Sequence, residues 1–345
     1  MANLANKYRP QTFDSVVGQG VIVDIVKTMC ESEQLSNRNF LFTGPAGTGK
    51  TSLSRLIAKS LNGSLDNIIE VDAASHSGVD DVRELVQQAS QYPIGTKYKI
   101  IICDEAHSFS NTAWQALLKC LEEQVGSTIW VFATTNPEKI PATIISRVQT
   151  FKLSKISTEN ITKRLKFIMD SEIKEGRELT YDMEALSYIG RLANGGMRDS
   201  ITMLDKCLAF GNNVNSELIS KALDLPDYSD YFNLLNALVK KDNAEITAVI
   251  DRVYNSGTNF VKWFEGFHSF LCNIVKYVFL KDISRTMIPY HYQDKIQKYN
   301  EQHAFICLKL ANLVMNMNKE LKTTQYQTET AMTYLCVPAV SKKEG

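Results

Sequence analysis

The chain has 345 residues, 44% of them hydrophobic, which is enough for two or three domains with a substantial core. The chain has 38 basic residues (lysine and arginine) and 38 acidic residues (aspartate and glutamate), so its formal net charge is zero. The protein as a whole therefore has no electric field that would attract nucleic acid or a membrane. The seven cysteines never form a C-x-x-C pair, and the N-terminus has no apolar run of signal-peptide length. Composition therefore predicts a soluble, cytoplasmic protein with reduced thiols and no membrane contact.

The first predicted element is a helix over residues 19–32. It follows an irregular segment, residues 7–19, which is interrupted by Pro10 and Gly18. On sequence pattern alone this segment is a plain N-terminal arm, because no residue type in it points to chemistry by itself.

A short apolar strand, a glycine-rich loop and a helix follow one another over residues 40–61. The helix places Leu53, Leu56 and Ile57 on one face. The loop has the G-x-x-x-x-G-K-T spacing of a phosphate-binding P-loop, whose backbone N–H groups surround phosphate oxygens. The loop residues, together with the next residue of the helix, are Gly44, Pro45, Ala46, Gly47, Thr48, Gly49, Lys50, Thr51 and Ser52.

This loop predicts a site for a nucleoside triphosphate and Mg²⁺. Lys50 is expected to reach the β- and γ-phosphates and the Thr51 hydroxyl to ligate Mg²⁺, while the helix N-terminus adds partial positive charge under the same anion. The alternative is a glycine-rich turn before an ordinary helix. The complete match, in the required order of strand, loop and helix, favours the nucleotide site.

An acidic pair follows a buried strand further along the chain. Two strand and helix pairs are predicted here, over residues 67–72, 79–90, 98–103 and 112–123. The strand over 98–103 is almost wholly apolar, as in a parallel sheet covered on both faces, and it ends at Asp104 and Glu105. Because the carboxyl ends of parallel strands face one crevice, we expect Asp104 to hold Mg²⁺ together with Thr51, and Glu105 to orient or deprotonate the attacking water. Acidic residues that merely end an exposed strand are the alternative, which their place after a P-loop disfavours.

The next predicted strand covers residues 128–133 and is followed by Thr135 and Asn136. If the strands have the order of P-loop ATPases, this strand end lies between the other two, where a polar side chain can hydrogen-bond the γ-phosphate or the attacking water. Thr135 is the first choice for that role and Asn136 the second. A last strand over residues 149–153 completes five strand-helix units, which predict a doubly wound α/β domain over residues 1–155.

Beyond residue 155 the predicted elements are helices only. Residues 156–212 predict a small domain of three helices, and residues 213–345 a larger helical domain without catalytic spacing. An aromatic-rich helix over residues 260–280 belongs either to the core of that domain or to a subunit interface.

Several separate motifs carry a resemblance to a known family. They are Lys-Tyr-Arg-Pro-Gln-Thr-Phe at 7–13, Val-Val-Gly-Gln at 16–19, the P-loop, Asp-Ala-Ala-Ser at 72–75, Asp-Glu-Ala-His at 104–107, Ala-Leu-Leu-Lys at 116–119, Ala-Thr-Thr-Asn-Pro at 133–137, Ser-Arg at 146–147 and Gly-Met-Arg-Asp at 196–199. Together they resemble the AAA+ ATPases of DNA clamp loaders, and among these the gamma/tau family of bacterial DNA polymerase III. The resemblance is weaker in the last third of the chain.

The resemblance implies a fold, a function and partners. The expected fold is a P-loop (AAA+) α/β domain with a parallel sheet over residues 1–155, a three-helix lid over 156–212 and an all-helical collar for oligomerisation over 213–345. The implied function is that of an ATPase motor subunit, which uses ATP and Mg²⁺ to open a sliding clamp and load it onto primer-template DNA during replication. The implied partners are other clamp-loader subunits in a pentameric ring of identical or different chains, the clamp and the DNA.

The resemblance also implies roles for individual side chains. Thr135 would detect the γ-phosphate, Arg198 in the lid would be a second sensor, and Arg147 would be an arginine finger that acts on the nucleotide of the neighbouring subunit. A surface salt bridge is the alternative for both arginines. The residues that would line the adenine and ribose pocket are Tyr8, Arg9, Pro10, Val16, Val17 and Gly18.

The sequence departs from the family pattern at two places. The family usually carries a cysteine-rich zinc module after the P-loop helix, whereas residues 62–67 contain no cysteine, so we expect no zinc. Its Ser-Arg-Cys motif reads Ser-Arg-Val at 146–148, which leaves the arginine charge intact.

Two other functions remain open. One is that of another AAA+ DNA motor, such as a branch-migration ATPase or a helicase loader, but no winged helix for DNA binding is recognisable. The other is that of a non-hydrolysing scaffold subunit of the loader, which need not retain the complete P-loop and acidic pair.

Overall fold

The computed structural model describes residues 3–32, 39–66, 68–123, 127–225 and 227–336. The chain forms two compact units. The first unit comprises residues 1–177 and 189–205, and the second comprises residues 178–188 and 206–345. This division follows compactness alone, so the predicted domain boundaries at residues 155 and 212 stay a prediction.

A five-stranded parallel sheet is the centre of the first unit. Its strands are β1 (Phe40–Thr43), β2 (Ile68–Asp72), β3 (Lys99–Asp104), β4 (Thr128–Thr134) and β5 (Gln149–Lys152). Their order across the sheet is β2-β3-β4-β1-β5, and every neighbouring pair is parallel. Because β4 lies between β3 and β1, the strand order on which the prediction for Thr135 depends is present.

Helices cover both faces of this sheet. Those that lie wholly in the first unit are α1 (Leu4–Lys7), α2 (Gly20–Glu31), α3 (Lys50–Asn62), α4 (Val79–Ala89), α5 (Asn111–Glu123), α6 (Ala142–Ile145) and α7 (Thr158–Lys174). Alternate strand residues point to opposite faces, so Phe40 and Phe42 pack with α2 and α3, while Leu41 and Trp130 pack with α4 and α5. The inner strands are therefore buried along almost their whole length.

The second unit is mainly helical. Two helices, α8 (Met183–Leu192) and α9 (Met197–Phe210), contribute residues to both units. They are followed by α10 (Ser216–Ala222), α11 (Tyr228–Lys240), α12 (Asn243–Asn255), α13 (Phe260–Leu280), α14 (Gln293–Ile296), α15 (Glu301–Leu321) and α16 (Gln327–Cys336). The aromatic face of α13, with Trp263, Phe264, Phe267 and Phe270, is buried in the core of the second unit. Of the two alternatives for this helix, the core is thus the one observed.

The structure also differs from the sequence prediction in its short elements. Residues Thr180–Tyr181 (β6) and Asn213–Val214 (β7) form a small parallel ladder in the second unit, where only helices were predicted. Two residues are too few to show a period of two in the sequence. The N-terminal segment, predicted to be irregular, contains the end of α1 and a 3₁₀ turn at Phe13–Ser15. None of the helices in the described ranges is both long and apolar enough to span a bilayer.

Candidate nucleotide-binding site

The P-loop joins the end of β1 to the start of α3. Gly44 has a φ of +135°, and a Cβ atom there would lie 2.3 Å from the backbone oxygen of Leu153. Gly47 has a φ of +70°, and a Cβ there would lie 3.2 Å from Cα of Gly196. The backbone N–H of Met197 donates a 2.9 Å hydrogen bond to the carbonyl oxygen of Gly47. Glycine is needed at both positions, because φ is positive and other backbone passes close by.

Lys50 begins α3, and only 6% of its surface is exposed. Its Nζ donates hydrogen bonds of 2.9 Å to the carbonyl oxygens of Gly44 and Pro45. Burial lowers the pKa of Lys50, and the nearby carboxylates of Glu105 and Asp104 oppose that shift. The ammonium group is therefore held inside the loop, where a phosphate group is expected to bind.

Thr51 and Asp104 lie side by side at the start of α3 and the end of β3. The Thr51 hydroxyl donates a 2.7 Å hydrogen bond to Oδ2 of Asp104, whose Oδ1 accepts from the backbone N–H of Glu105 at 3.0 Å. Mg²⁺ prefers oxygen ligands and usually takes only one or two protein carboxylates, so this pair fits the predicted metal. Within the described ranges, no group of three or more His, Cys, Asp or Glu side chains has the arrangement of a metal site.

Glu105 has a φ of +46°, which is unusual for a residue with a long side chain. Its Oε2 accepts a 3.1 Å hydrogen bond from the Thr135 hydroxyl and lies 3.3 Å from Nδ1 of His107. The same nitrogen of His107 is 3.0 Å from Oγ1 of Thr134. Thr135 was preferred over Asn136 from the sequence, and its side chain is the one in contact with Glu105. No role was predicted for His107, although it belongs to the Asp-Glu-Ala-His motif.

A cavity of about 480 Å³ lies between the N-terminal segment, the P-loop, the ends of β2 and β3, and the start of α9. Small-molecule sites typically enclose roughly 300–1,000 Å³. The predicted site residues that line it are Tyr8, Arg9, Pro10, Val16, Val17, Ala46, Gly47, Thr48, Gly49, Lys50, Thr51, Ser52, Asp104, Glu105 and Arg198. Many of the residues that line this pocket were therefore predicted from the sequence, although they come from segments that are distant along the chain.

The remaining predicted residues lie next to this lining or apart from it. Gly44 and Pro45 contact the side chain of Lys50, and Thr135 contacts Glu105, as described above. Gly18 has a φ of +85° and packs beside Ile156, where a Cβ would come within 2.9 Å of that side chain. Arg147 lies elsewhere on the first unit.

Four arginines line the cavity, namely Arg9, Arg55, Arg164 and Arg198. Burial lowers the pKa of Arg9, and the positive charges of Arg55 and Arg198 lower it further. Arg55 forms an ion pair with Glu70, which also lines the cavity. Because the arginines repel one another, the cluster favours an anionic ligand.

Arg147 forms an ion pair with Glu122 on the same chain. Its Nε donates a 2.9 Å hydrogen bond to Oε1 of Glu122, and a second nitrogen contacts the same oxygen. A third nitrogen donates to the carbonyl oxygen of Thr143 at 2.6 Å. The structure thus contains the salt bridge that was the alternative for this residue, and the role of Arg147 as an arginine finger stays a prediction.

Two residues of α7 contact Tyr8 of the site, and the sequence predicted no role for either of them. Arg164 lines the cavity and donates a 2.8 Å hydrogen bond to the carbonyl oxygen of Tyr8. Glu172 accepts a 2.7 Å hydrogen bond from the Tyr8 hydroxyl. The sequence contains a pattern that could have identified Glu172. This residue follows the buried Leu165 and Ile168 at helical spacing, so a carboxylate lies on the apolar face of the helix.

Comparison with known proteins decides the family. A family model described as DNA polymerase III, delta subunit, matches residues 18–157, and another described as DNA polymerase III clamp loader subunit, ATPase lid domain, matches residues 160–213. DNA polymerase III subunit gamma of Buchnera aphidicola subsp. Acyrthosiphon pisum is 31% identical to this chain. The match covers 92% of this chain and 93% of that protein. The chain belongs to the DNA polymerase III gamma/tau family. The resemblance inferred from the motifs is thereby confirmed.

Longer members of the gamma/tau family match as well. The gamma/tau subunit of Mycoplasma genitalium is 31% identical over 81% of this chain, and the tau subunit of Bacillus subtilis is 33% identical over 72%. In each case the match covers 49% of the relative, so the chain spans about half the length of these curated relatives.

A solved structure supports the fold. The Thermotoga maritima RuvB Holliday junction branch migration motor matches with a TM-score of 0.53 and 18% identity, over 67% of this chain and 79% of that one. At this identity the likeness concerns the fold alone. The predicted P-loop AAA+ fold, with its parallel sheet, lid and helical C-terminal region, is confirmed.

Proposed function

We propose that the chain is the ATPase motor subunit of a clamp loader, which uses ATP binding and hydrolysis to open a sliding clamp and load it onto primer-template DNA during replication. One observation carries the proposal. Lys50, Thr51, Asp104 and Glu105 surround one end of a cavity that Arg198 also lines, and each has the side chain that its motif requires. Membership of the gamma/tau family supports the same function.

Binding of the triphosphate is assigned to the P-loop and the arginines. Backbone N–H groups of the loop and the N-terminus of α3 would face the phosphate oxygens. Lys50 would exchange the carbonyl oxygens of Gly44 and Pro45 for phosphate oxygens, and Arg198 would add a second positive charge. Mg²⁺ would be held by Thr51 and Asp104, and when bound it neutralises charge on the phosphates.

Hydrolysis is assigned to Glu105 and its neighbours. The carboxylate of Glu105 would orient the attacking water and accept its proton, and Thr135 would fix that carboxylate or report the γ-phosphate. Arg147 of an adjoining subunit would stabilise negative charge that develops at the phosphate. A guanidinium supplied by a neighbour makes hydrolysis depend on assembly of the ring.

Assembly and DNA contact complete the proposed cycle. The helices over residues 213–345 would form a collar that holds a ring of five subunits together, and ATP bound between neighbours would order the ring around an open clamp. Arg83 is one group proposed to contact DNA phosphates. It is exposed on α4, where its Nη1 lies 2.9 Å from Oδ1 of Asp80. Contacts of this kind depend on salt and are largely independent of DNA sequence.

The test is ATP turnover by the purified chain with its loader partners, measured alone, with primed DNA, and with primed DNA plus clamp. The proposal expects strong stimulation only when DNA and clamp are both present. Stimulation by DNA alone would instead indicate another AAA+ motor, such as a branch-migration ATPase or a helicase loader. No turnover under any condition would indicate a non-hydrolysing scaffold subunit. Either of these results would overturn the proposal.

A further inference from the structure

Glu172 lies near the end of α7, with only 3% of its surface exposed. Its Oε1 accepts hydrogen bonds from Nζ of Lys7 at 2.6 Å and from the Tyr8 hydroxyl at 2.7 Å, and its Oε2 accepts from Arg177 at 2.8 Å. Burial alone would raise the pKa of this carboxyl, but the hydrogen bonds from Lys7, Arg177 and Tyr8 outweigh it and hold the pKa at about 2. The carboxylate is therefore charged and fully engaged at neutral pH.

Tyr8 is attached to α7 at more than one point. Glu172 holds its hydroxyl, and a nitrogen of Arg164 donates to its carbonyl oxygen at 2.8 Å. The ring of Tyr8 meets the ring of Phe167 edge-on, with 6.4 Å between the ring centres. The orientation of Tyr8 in the cavity is thus set by side chains of one helix.

We propose that Glu172 is a positioning residue for the base of the bound nucleotide. By holding the Tyr8 hydroxyl, it fixes the ring as a wall of the cavity, where Pro10, Val16 and Val17 supply further apolar surface. The phosphates are held by different groups, since the P-loop N–H groups and Lys50 belong to another segment. This inference rests on the proposed ATP site and does not depend on clamp loading.

The separation of base and phosphate contacts makes the inference testable by equilibrium binding. Four variants of the full chain are compared with the wild type: Tyr8→Phe, Glu172→Gln, the double variant, and Glu175→Gln. Glu175 is the matched control, because it also pairs with Lys7, from the C-cap position of the same helix, but is 55% exposed, whereas the Tyr8 hydroxyl donates to Glu172. Calorimetry gives Kd for ATP with Mg²⁺ and, separately, for inorganic tripolyphosphate.

The expected result is a loss of ATP affinity of about tenfold for Tyr8→Phe and for Glu172→Gln, the size of one lost hydrogen bond to a charged group. The double variant should bind ATP no more weakly than the weaker single variant, because Glu172 is proposed to act on the base only through its hydrogen bond with Tyr8. Tripolyphosphate should bind all variants equally, and Glu175→Gln should bind ATP as the wild type does. A purely structural role would weaken tripolyphosphate as well.

Several outcomes would overturn the inference. These are wild-type ATP affinity in Tyr8→Phe, additive losses in the double variant, or equal losses for ATP and tripolyphosphate. If Glu172→Gln does not fold, the ATP affinity of Tyr8→Phe still tests the inference, because this variant loses only a hydroxyl group. If the wild-type chain itself binds tripolyphosphate but not ATP, or neither, the proposed ATP site fails first, so the two failures are distinguishable.

Discussion

The hydroxyl of Thr135 donates a 3.1 Å hydrogen bond to Oε2 of Glu105, and so joins the end of β4 to the end of β3. The two strands are neighbours in the sheet, which places their carboxyl ends at one edge. Glu105 has a positive φ, and the same Oε2 atom also lies 3.3 Å from Nδ1 of His107, so two side chains contact this oxygen. A general base must first lie in a fixed position from which it can reach the proton that it abstracts.

Removal of the Thr135 hydroxyl should slow hydrolysis without weakening ATP binding. We expect Thr135→Val, which keeps the shape of the side chain, to lower kcat on the order of 10- to 100-fold, because the base is no longer held. Thr135→Ser keeps the hydroxyl and should retain most activity. Steady-state ATPase assays and ATP titrations check both variants. An active Thr135→Val enzyme would remove this residue from the mechanism.

Arg147 should matter only for hydrolysis in the assembled ring. Arg147→Ala should abolish stimulated ATP turnover, a loss on the order of a thousandfold, while Kd for ATP stays unchanged. Arg147→Lys should not rescue it, because an ammonium group cannot reproduce the planar guanidinium contacts. The ion pair with Glu122 provides a control, since Glu122→Gln removes the same salt bridge and leaves the guanidinium free to act. If Glu122→Gln loses as much activity as Arg147→Ala, the arginine acts within its own chain.

The glycine at the end of β1 should not tolerate a side chain. In Gly44→Ala the new Cβ would meet the backbone oxygen of Leu153 at 2.3 Å, and φ is +135°, so the P-loop must move. We expect this variant to lose ATP binding or to lose several kcal/mol of stability. Gly63→Ala is the control, because Gly63 has a φ of +72° with open space around its Cβ position. This variant should lose only about 1–2 kcal/mol of stability and should bind ATP normally. Thermal unfolding and ATP titration of the two variants make the comparison.

The sequence predicted the sheet, the P-loop and the acidic pair because each has a local pattern. Apolar runs marked the buried strands, and the spacing of glycines and Lys50 marked the loop. By contrast, the contacts of Tyr8 with Arg164 and Glu172 join residues more than 150 positions apart, and no local pattern reports such a pair. The ion pair of Arg147 with Glu122 is likewise decided by packing between two elements.

The short strands were not predicted from the sequence, for a different reason. The parallel ladder of β6 and β7 has two residues in each strand, which is a single repeat of the strand period and too short to show alternation. The place of α13 in the core also needed the structure, because an aromatic face packs equally well in a core or at an interface.

The stability of the first unit should depend on pH through Glu172. Its pKa in the folded chain is about 2, below the ordinary value of 4.5, because Lys7, Arg177 and Tyr8 stabilise the charged form. A depressed carboxyl pKa means that the folded state binds fewer protons. The contribution is therefore complete above about pH 4.5 and is lost as the pH falls towards 2.

The measurement is urea unfolding of the wild type and of Glu172→Gln at pH 7 and at pH 3.5, followed by tryptophan fluorescence. The difference in the free energy of unfolding between the two proteins should shrink at the lower pH. A difference that stays constant would show that the charge of Glu172 does not contribute.

Calorimetry of ATP with Mg²⁺, carried out on the purified wild-type chain and on Lys50→Ala, decides whether the P-loop holds a nucleotide. We expect one ATP per wild-type chain and no detectable binding to Lys50→Ala, whose fold is checked by circular dichroism. Absence of binding to the wild type, or equal affinity in Lys50→Ala, would contradict this expectation.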